Sequence, residues 1–255
     1  MATRQPQGES NSALIKSFSK YARGYDKHAR LQKQMAERLA SFLPEIIPDQ
    51  ILEIGCGTGL FTQHLLAHPL KTLILNDIAP DMVERLQNKL TLPRGCQIKV
   101  GNAESMEFQQ VGLIAANAVF QWFKSPSETL KLLGSYLKPP GNLIFSTFGP
   151  ATLAEFRQTA SLESPASLLT LSQWKKLIHK AGFSLISSAS ETRKSFFPDT
   201  LALLKNLQQI GATPYRMTHS SDLRRLIKEY DENYSTQQGV YATWELLYFS
   251  AKNKT

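Results

Sequence analysis

The sequence predicts an α/β protein: a doubly wound, mostly parallel seven-stranded sheet, with a helical segment ahead of it and a helical insertion before the last strand. Three observations carry this. Short apolar runs of strand length alternate with segments of helical periodicity along most of the chain, the pattern of β-α-β units packed on both faces of one sheet. A glycine cluster, Gly55-Cys56-Gly57-Thr58-Gly59, stands where the first run gives way to a helix, the place where open α/β sheets bind ligands. Between Pro198 and Tyr234 the alternation gives way to helical segments, the first closed by Gly211.

The elements follow in order. Leu31, Met35, Leu39, Phe42 and Leu43 share one face of a helix over Ala29 to Leu43, which Pro44 ends. Ile51-Leu52-Glu53-Ile54 reads as a buried strand, followed by the glycine turn and a short helix through Leu66. Lys71 to Leu75 is a second strand, and Pro80 to Leu90 a helix turning Met82, Leu86 and Leu90 inward. Gln97 to Val100 and Val111 to Ala116 are further strands. Ser125-Pro126-Ser127-Glu128 combines a capping box with proline at the first helical position. That helix carries Leu130, Leu133 and Leu137 until Pro139-Pro140-Gly141 ends it. Asn142 to Phe148 is a strand, Ser172 to Gly182 a short helix, and Phe183 to Ile186 a strand. Tyr241 to Phe249 is long enough to cross a sheet.

With 255 residues and 42% apolar content the chain suits one sizeable core. No apolar run approaches the ~20 residues of a membrane helix. Met1 to Asn11 is polar, without the apolar stretch of a secretory signal. The two cysteines, Cys56 and Cys96, have neither paired spacing nor a histidine cluster nearby, so no disulfide framework or metal site is expected and a reducing compartment fits. A cytoplasmic protein is expected. The formal charge of +8 favours acidic partners, although a charged surface also serves solubility alone.

The spacing G-x-G-x-G departs from the dinucleotide fingerprint, because Leu60 occupies the position of its third glycine. Glu53 ahead of the glycines suits a cationic amino-acid cofactor better than a pyrophosphate. Asp77, at the end of the second strand, can accept both hydroxyl hydrogens of a ribose, or cap the next helix. Met82 can pack on adenine, or simply fill core.

With these residues in place the chain resembles the class I S-adenosylmethionine-dependent methyltransferases, which implies their sheet and S-adenosylmethionine as cofactor. In that family the acid-glycine motif, here Glu53, Gly55, Cys56, Gly57 and Gly59, holds the methionine part, and the second-strand acid, here Asp77 with Ile78, holds ribose. The family's Gly-Asp-Ala-Glu is here Gly101-Asn102-Ala103-Glu104. Asn102 would meet the adenine amino group through its amide oxygen, with Ala103 and Glu104 beside it. Val111-Gly112 replaces the usual Phe-Asp of the fourth strand, a change expected to affect packing only.

Further segments resemble a narrower family, the malonyl-acyl-carrier-protein O-methyltransferases of biotin synthesis. They are Phe18, Tyr25-Asp26, Ala29 and Gln32; Asn117-Ala118-Val119-Phe120-Gln121-Trp122; Phe145 to Pro150 with Thr152-Leu153 and Glu155; Phe197-Pro198 through Ile210-Gly211-Ala212; and Ala242-Thr243-Trp244-Glu245. The likeness implies an N-terminal segment, 13–48, lying over the cofactor; the polar stretch ahead of it, 1–12, reads as a disordered tail. The likeness also implies one domain over 13–255, with the helical insertion at 198–236. Tyr25, as a catalytic residue, and Gln32 would come from the N-terminal segment, with Gln32 and Asn117 as cofactor contacts; Tyr25 also reads as a buried tyrosine and Gln32 as a helix-surface glutamine. Gln121 and Trp122 would line the wall near the methyl group. His28 reads as structural.

The implied reaction moves a methyl group onto the carboxylate of a malonyl thioester. That nucleophile is ionised near neutral pH, since carboxyl groups titrate around pH 4, and it needs no general base. A cationic partner for it is expected, with Arg157 and Arg193 as candidates; either also reads as a solvated surface arginine. Lys205, Arg216, Arg224, Arg225 and Lys228 gather in the insertion and would meet an acidic carrier protein, or form a solvated face. A monomer is expected, with neither nucleic acid nor membrane as partner. Other readings stay open: a carboxyl methyltransferase of a free acid such as aconitate, a nucleic-acid methyltransferase, or a non-catalytic cofactor-binding protein. Against the nucleic-acid reading, the chain has no Asn-Pro-Pro-Tyr motif and no aromatic-basic stacking segment.

Overall fold

The computed structural model describes residues 7–211 and 220–253. Three helices come first: α1 (Gln7–Tyr21), α2 (Tyr25–His28) and α3 (Arg30–Ala40). The α/β part follows as β1 (Gln50–Ile54), α4 (Thr62–Leu65), β2 (Thr72–Asp77), α5 (Pro80–Lys89), β3 (Cys96–Val100) and β4 (Val111–Asn117). Next come α6 (Pro126–Ser135), β5 (Leu137–Phe148), α7 (Ala154–Thr159), α8 (Leu171–Lys180) and β6 (Phe183–Phe197). The chain closes with α9 (Thr200–Gln209), α10 (Ser220–Tyr234), β7 (Ser235–Thr236) and β8 (Gly239–Asn253).

The sheet order is β3-β2-β1-β4-β5-β8-β6, with β7 paired only to β8. Neighbours from β3 to β5 run parallel, whereas β8 lies antiparallel between β5 and β6. The expected seven strands are present, and the two-residue β7 is an eighth. Chain order reverses between β1 and β4, so the loops after these strands diverge and leave a crevice at their carboxyl ends.

Two apolar layers hold the sheet. On one face Met35, Leu39, Phe61, Leu86, Leu207 and Tyr230 pack against Ile51, Leu73 and Leu113. On the other, Phe120, Leu130, Leu133, Trp174 and Ile178 cover Leu52, Ile114 and Phe145. The Phe120 and Phe145 rings stack at 4.0 Å and Phe145 and Phe249 at 4.7 Å, contacts worth about 1 kcal/mol each beyond area burial.

Several boundaries differ from the sequence reading. Helix α1 begins at Gln7, inside the stretch expected to be a disordered tail, because its Leu14 and Phe18 cover the cleft described below; residues 1–6 lie outside the described ones. Ser125 stands at the start of α6 without making a side-chain cap bond. A capping box forms instead at Thr170 and Gln173, opening α8. The diproline does not end its segment ahead of the strand but lies inside β5, with a register shift opposite Val111 and Leu113. Strand β6 runs on from Ile186 to Phe197 as the outer strand, where polar residues such as Ser187 and Lys194 are tolerated because one face and one edge meet water. Among the described residues no helix is long and apolar enough to cross a membrane.

Candidate active site

The loop after β1 needs glycine for two different reasons. Gly55, Gly57 and Gly59 all have positive φ, at +66°, +52° and +85°, the left-handed region costly to other residues. A Cβ on Gly55 would stand 2.3 Å from Val119 Cγ2, and one on Gly59 2.6 Å from Leu90 Cδ1, so these two permit close packing. A Cβ on Gly57 would meet nothing within 4 Å, and Gly57 lies on the wall of a cleft of about 730 Å³, partly open to solvent.

Asp77 fixes this loop. Its Oδ2 accepts the Gly57 backbone N–H at 2.8 Å and its Oδ1 the Ala79 N–H at 2.8 Å. Each oxygen retains lone-pair capacity for one further donor, the arrangement a ribose diol requires. Burial pushes the Asp77 pKa up, and the backbone donors pull it back. Ile78, Met82, Asn102, Ala103, Glu104 and Asn117 share the wall with Gly55, Gly57 and Asp77. Thioether, apolar and amide groups thus surround a carboxylate, a set that fits a nucleoside with a sulfur-bearing amino-acid tail.

Four expected cofactor residues stand elsewhere. Glu53 is buried behind the loop, where its Oε2 accepts Thr62 Oγ1–H at 2.7 Å; burial pushes its pKa up to about 8. Cys56 is buried in the core and Gly59 packs on α5, so neither forms part of the cleft wall. Gln32 reaches a second cleft instead. Asn102 is on the wall, but its Oδ1 already accepts the Glu104 N–H at 3.0 Å, so the oxygen expected to meet adenine is partly engaged. Glu104 Oε1 accepts from the Lys124 N–H at 3.2 Å and Thr129 Oγ1 at 3.0 Å, tying the wall to α6. Asn117 donates to the Gln32 carbonyl at 3.1 Å and its Oδ1 accepts Ser146 Oγ–H at 2.7 Å, which joins β4, β5 and α3.

The N-terminal helices roof the cleft through Asn11, Leu14, Phe18 and Tyr25. Asp26 anchors the roof: it accepts from Thr58 Oγ1 and from Lys89 Nζ, the latter at 2.8 Å. Burial, with Asp77 and Asp26 nearby, pushes the Tyr25 pKa well above the ordinary phenol value. Tyr25 therefore stays a neutral hydrogen-bond donor.

A second cleft, about 930 Å³ and partly open, adjoins the first. Phe18, Tyr25, Ala118 and Trp122 line both. Its own wall includes Gln32, Gln121, Phe148, Thr152, Leu168, Ile210 and Trp244. Gln121 is held by Nε2 donating to the Ala118 carbonyl at 2.6 Å and Oε1 accepting from Thr147 at 3.0 Å. Ala118 has φ +56°, a strained conformation of the kind that gathers at functional sites. Sequence reading gave no site role to Phe18, Ala118, Thr152 or Trp244. Phe18, Thr152 and Trp244 sit far apart along the chain, and only tertiary packing unites them.

Neither expected arginine is on either wall. Arg157 donates to the Thr152 and Pro150 carbonyls, bracing the turn after β5. Arg193 pairs with Glu191 at 2.8 Å and reaches Gln34 Oε1 at 3.4 Å, beside Arg38 on the same carboxylate. The strand position points it across to α3 and away from the crevice. Lys205 is exposed on α9, and Arg224, Arg225 and Lys228 are exposed on α10. Arg225 lies 3.8 Å from Asp222 and Lys228 3.8 Å from Glu232. Arg216 lies outside the described residues.

The sheet order, the glycine loop at the switch point and the doubly engaged Asp77 define a class I S-adenosylmethionine-dependent methyltransferase. Comparisons with known proteins agree: residues 25–188 match the methyltransferase domain family. In the solved structures, an S-adenosylmethionine-dependent methyltransferase from Mesorhizobium loti superposes with TM-score 0.53 at 14% identity, covering 85% of this chain and 96% of that one. The malonyl-[acyl-carrier protein] O-methyltransferase of Priestia megaterium is 33% identical, over 93% of this chain and 96% of its own. That of Paenibacillus sp. is 30% identical, over 92% and 96%. The chain belongs to the malonyl-[acyl-carrier protein] O-methyltransferase family.

Proposed function

We propose that this enzyme methylates the free carboxylate of a malonyl thioester carried on acyl-carrier protein, in the cytoplasm and early in the route to the pimeloyl part of biotin. The observation that carries this reading is the second cleft, which is largely apolar and runs into the cofactor cleft at Tyr25 and Trp122. An acyl chain entering there ends where the two clefts meet. Asp77 and the glycine loop would hold S-adenosylmethionine, which when bound would supply an electrophilic methyl group with its sulfur as the leaving group, to be taken up by the ionised carboxylate of the substrate. The protein's part is placement and exclusion of water. Phe18 and Trp122, with rings 5.7 Å apart edge to face, both line the junction. Neutral Tyr25 would offer its hydroxyl there as a hydrogen-bond donor to the substrate.

Among the described residues the second cleft has no Lys, Arg or His on its wall. This suits the chemistry, because a carboxylate and a sulfonium lose their charges together on reaction, and a low-polarity site favours that loss. Ile210 directly follows α9, the helix that bears Lys205, and lies on the cleft wall, so a carrier resting on the basic insertion would stand beside the cleft. The test supplies labelled S-adenosylmethionine with malonyl-carrier protein, malonyl-coenzyme A or aconitate. Methyl ester formed on the carrier-bound malonyl group is expected. Transfer to aconitate alone would replace this reading with a free-acid methyltransferase.

A further inference from the structure

Two residues on the wall of the second cleft each carry a buried polar atom with no hydrogen-bond partner. These atoms are the Trp244 indole Nε1–H and the Gln32 amide Oε1, both shut off from solvent. The residues are only 3% and 7% exposed, and both line the same cleft. Buried polar groups are nearly always paired in folded proteins, and leaving one unpaired is costly.

Trp244 is also held unusually firmly for a group that bonds to nothing. The Leu153 N–H donates to the Thr243 carbonyl at 2.7 Å, and the Thr243 N–H donates to Glu155 Oε2 at 3.1 Å. On its other side, the Gly149 N–H donates to the Glu245 carbonyl at 2.8 Å, and Ala151 N–H to Glu245 Oε2 at 2.9 Å. The residues before and after Trp244 are thus clamped to the turn after β5, and Trp244 packs on Phe148 with ring centroids 5.7 Å apart. Gln32 is anchored through its backbone carbonyl by Asn117 at 3.1 Å. Its side-chain oxygen remains unspent.

One vacant donor and one vacant acceptor, on two residues of one apolar cleft wall, call for a ligand with the converse pair. We infer that Trp244 donates to the thioester carbonyl of the substrate, and that Gln32 accepts from an amide N–H of the pantetheine arm behind it. This rests on the proposed function and adds how the enzyme separates its substrate from a free acid, since free di- and tricarboxylic acids carry no N–H. A site whose buried polar atoms are satisfied by only one ligand rejects the analogue that lacks the matching group.

The test uses the full chain with two small thioesters: malonyl-N-acetylcysteamine, which has the carbonyl and one amide, and malonyl S-ethyl thioester, which has the carbonyl alone. Gln32→Leu is expected to lower the ratio of kcat/KM between the first and the second about tenfold, the loss of one net hydrogen bond. Trp244→Phe is expected to lower kcat/KM about tenfold on both and leave their ratio as in the wild type. A general structural defect would not move the two variants in these different ways, and calorimetric binding of S-adenosylhomocysteine checks folding. Should Gln32→Leu fold poorly, Gln32→Met carries the same expectation. An unchanged ratio in the Gln32 variant, or wild-type kcat/KM in Trp244→Phe, would overturn the pairing. Wild-type enzyme that methylates neither thioester would overturn the proposed function and the pairing with it.

Discussion

Asp77 accepts the backbone N–H of Gly57 at 2.8 Å, and this bond ties the end of β2 to the middle of the loop after β1. The same carboxylate thereby shapes the loop and presents lone pairs to the cleft. Replacing Asp77 with alanine removes two backbone-to-carboxylate bonds and, with them, the acceptor we propose for the ribose. We expect Asp77→Ala to weaken S-adenosylmethionine binding by about two orders of magnitude, with two charge-assisted bonds to the ligand lost at ~1.5 kcal/mol each. Isothermal calorimetry measures this, and an affinity within threefold of wild type would remove Asp77 from the cofactor site.

The glycine loop makes a sharper contrast. Gly57→Ala adds a methyl group where nothing stands within 4 Å, so the apo-protein should lose only about 1–2 kcal/mol from the left-handed backbone. It should nevertheless fail to bind cofactor, because the methyl group occupies the cleft. Gly55→Ala collides with Val119 and should lose folding stability as well. Urea unfolding and cofactor titration of both variants separate the two effects.

Burial raises Glu53 from 4.5 to about 8, against the opposing hydrogen bond from Thr62. Between those values the folded protein binds a proton that the unfolded chain does not. Its stability is therefore full at low pH and falls as pH rises through about 8, with a slope approaching ~1.4 kcal/mol per pH unit. Asp77, also raised, contributes in the same direction. Cofactor-free protein should unfold at progressively lower urea concentration as pH increases, and Glu53→Gln should flatten that trend. An equal slope in the variant would contradict this origin.

The N-terminal roof is fastened at Asp26, which joins Thr58 of the glycine loop and Lys89 of α5. The Lys89 pair is partly exposed, so the contribution is modest, about 1 kcal/mol or less. Asp26→Ala should weaken cofactor binding severalfold and open α1 to protease, with added S-adenosylmethionine restoring protection in the wild type more than in the variant. Limited proteolysis with and without cofactor reads this directly.

The switch-point site was legible because its parts follow strands in sequence: Gly55 and Gly57 after β1, Asp77 at the end of β2, Asn117 at the end of β4. Periodicity and glycine spacing locate such residues without any tertiary information. The second cleft was not legible in that way. Trp244 and Thr152 meet only because β8 lies antiparallel beside β5, and Phe18 arrives from a helix that folds back over the sheet. The arginines show the opposite error. By their order along the chain both Arg157 and Arg193 suit a place behind an inner strand, yet Arg157 turns back onto its own loop, and Arg193 lies within the outer strand β6 and turns onto Glu191. Charge alone does not reveal which way a side chain points. Strand β6 was read short because its polar alternation past Ile186 resembles a loop until its outer position in the sheet is known.

The most direct measurement is the mass of malonyl-acyl-carrier protein after incubation with this enzyme and S-adenosylmethionine bearing a deuterated methyl group. One deuterated methyl is expected on the malonyl carboxyl group, as a base-labile ester, formed about a hundredfold more slowly by Asp77→Ala when the cofactor is below saturation. A carrier-bound malonyl group left unlabelled by an enzyme that binds its cofactor normally would contradict the proposed function.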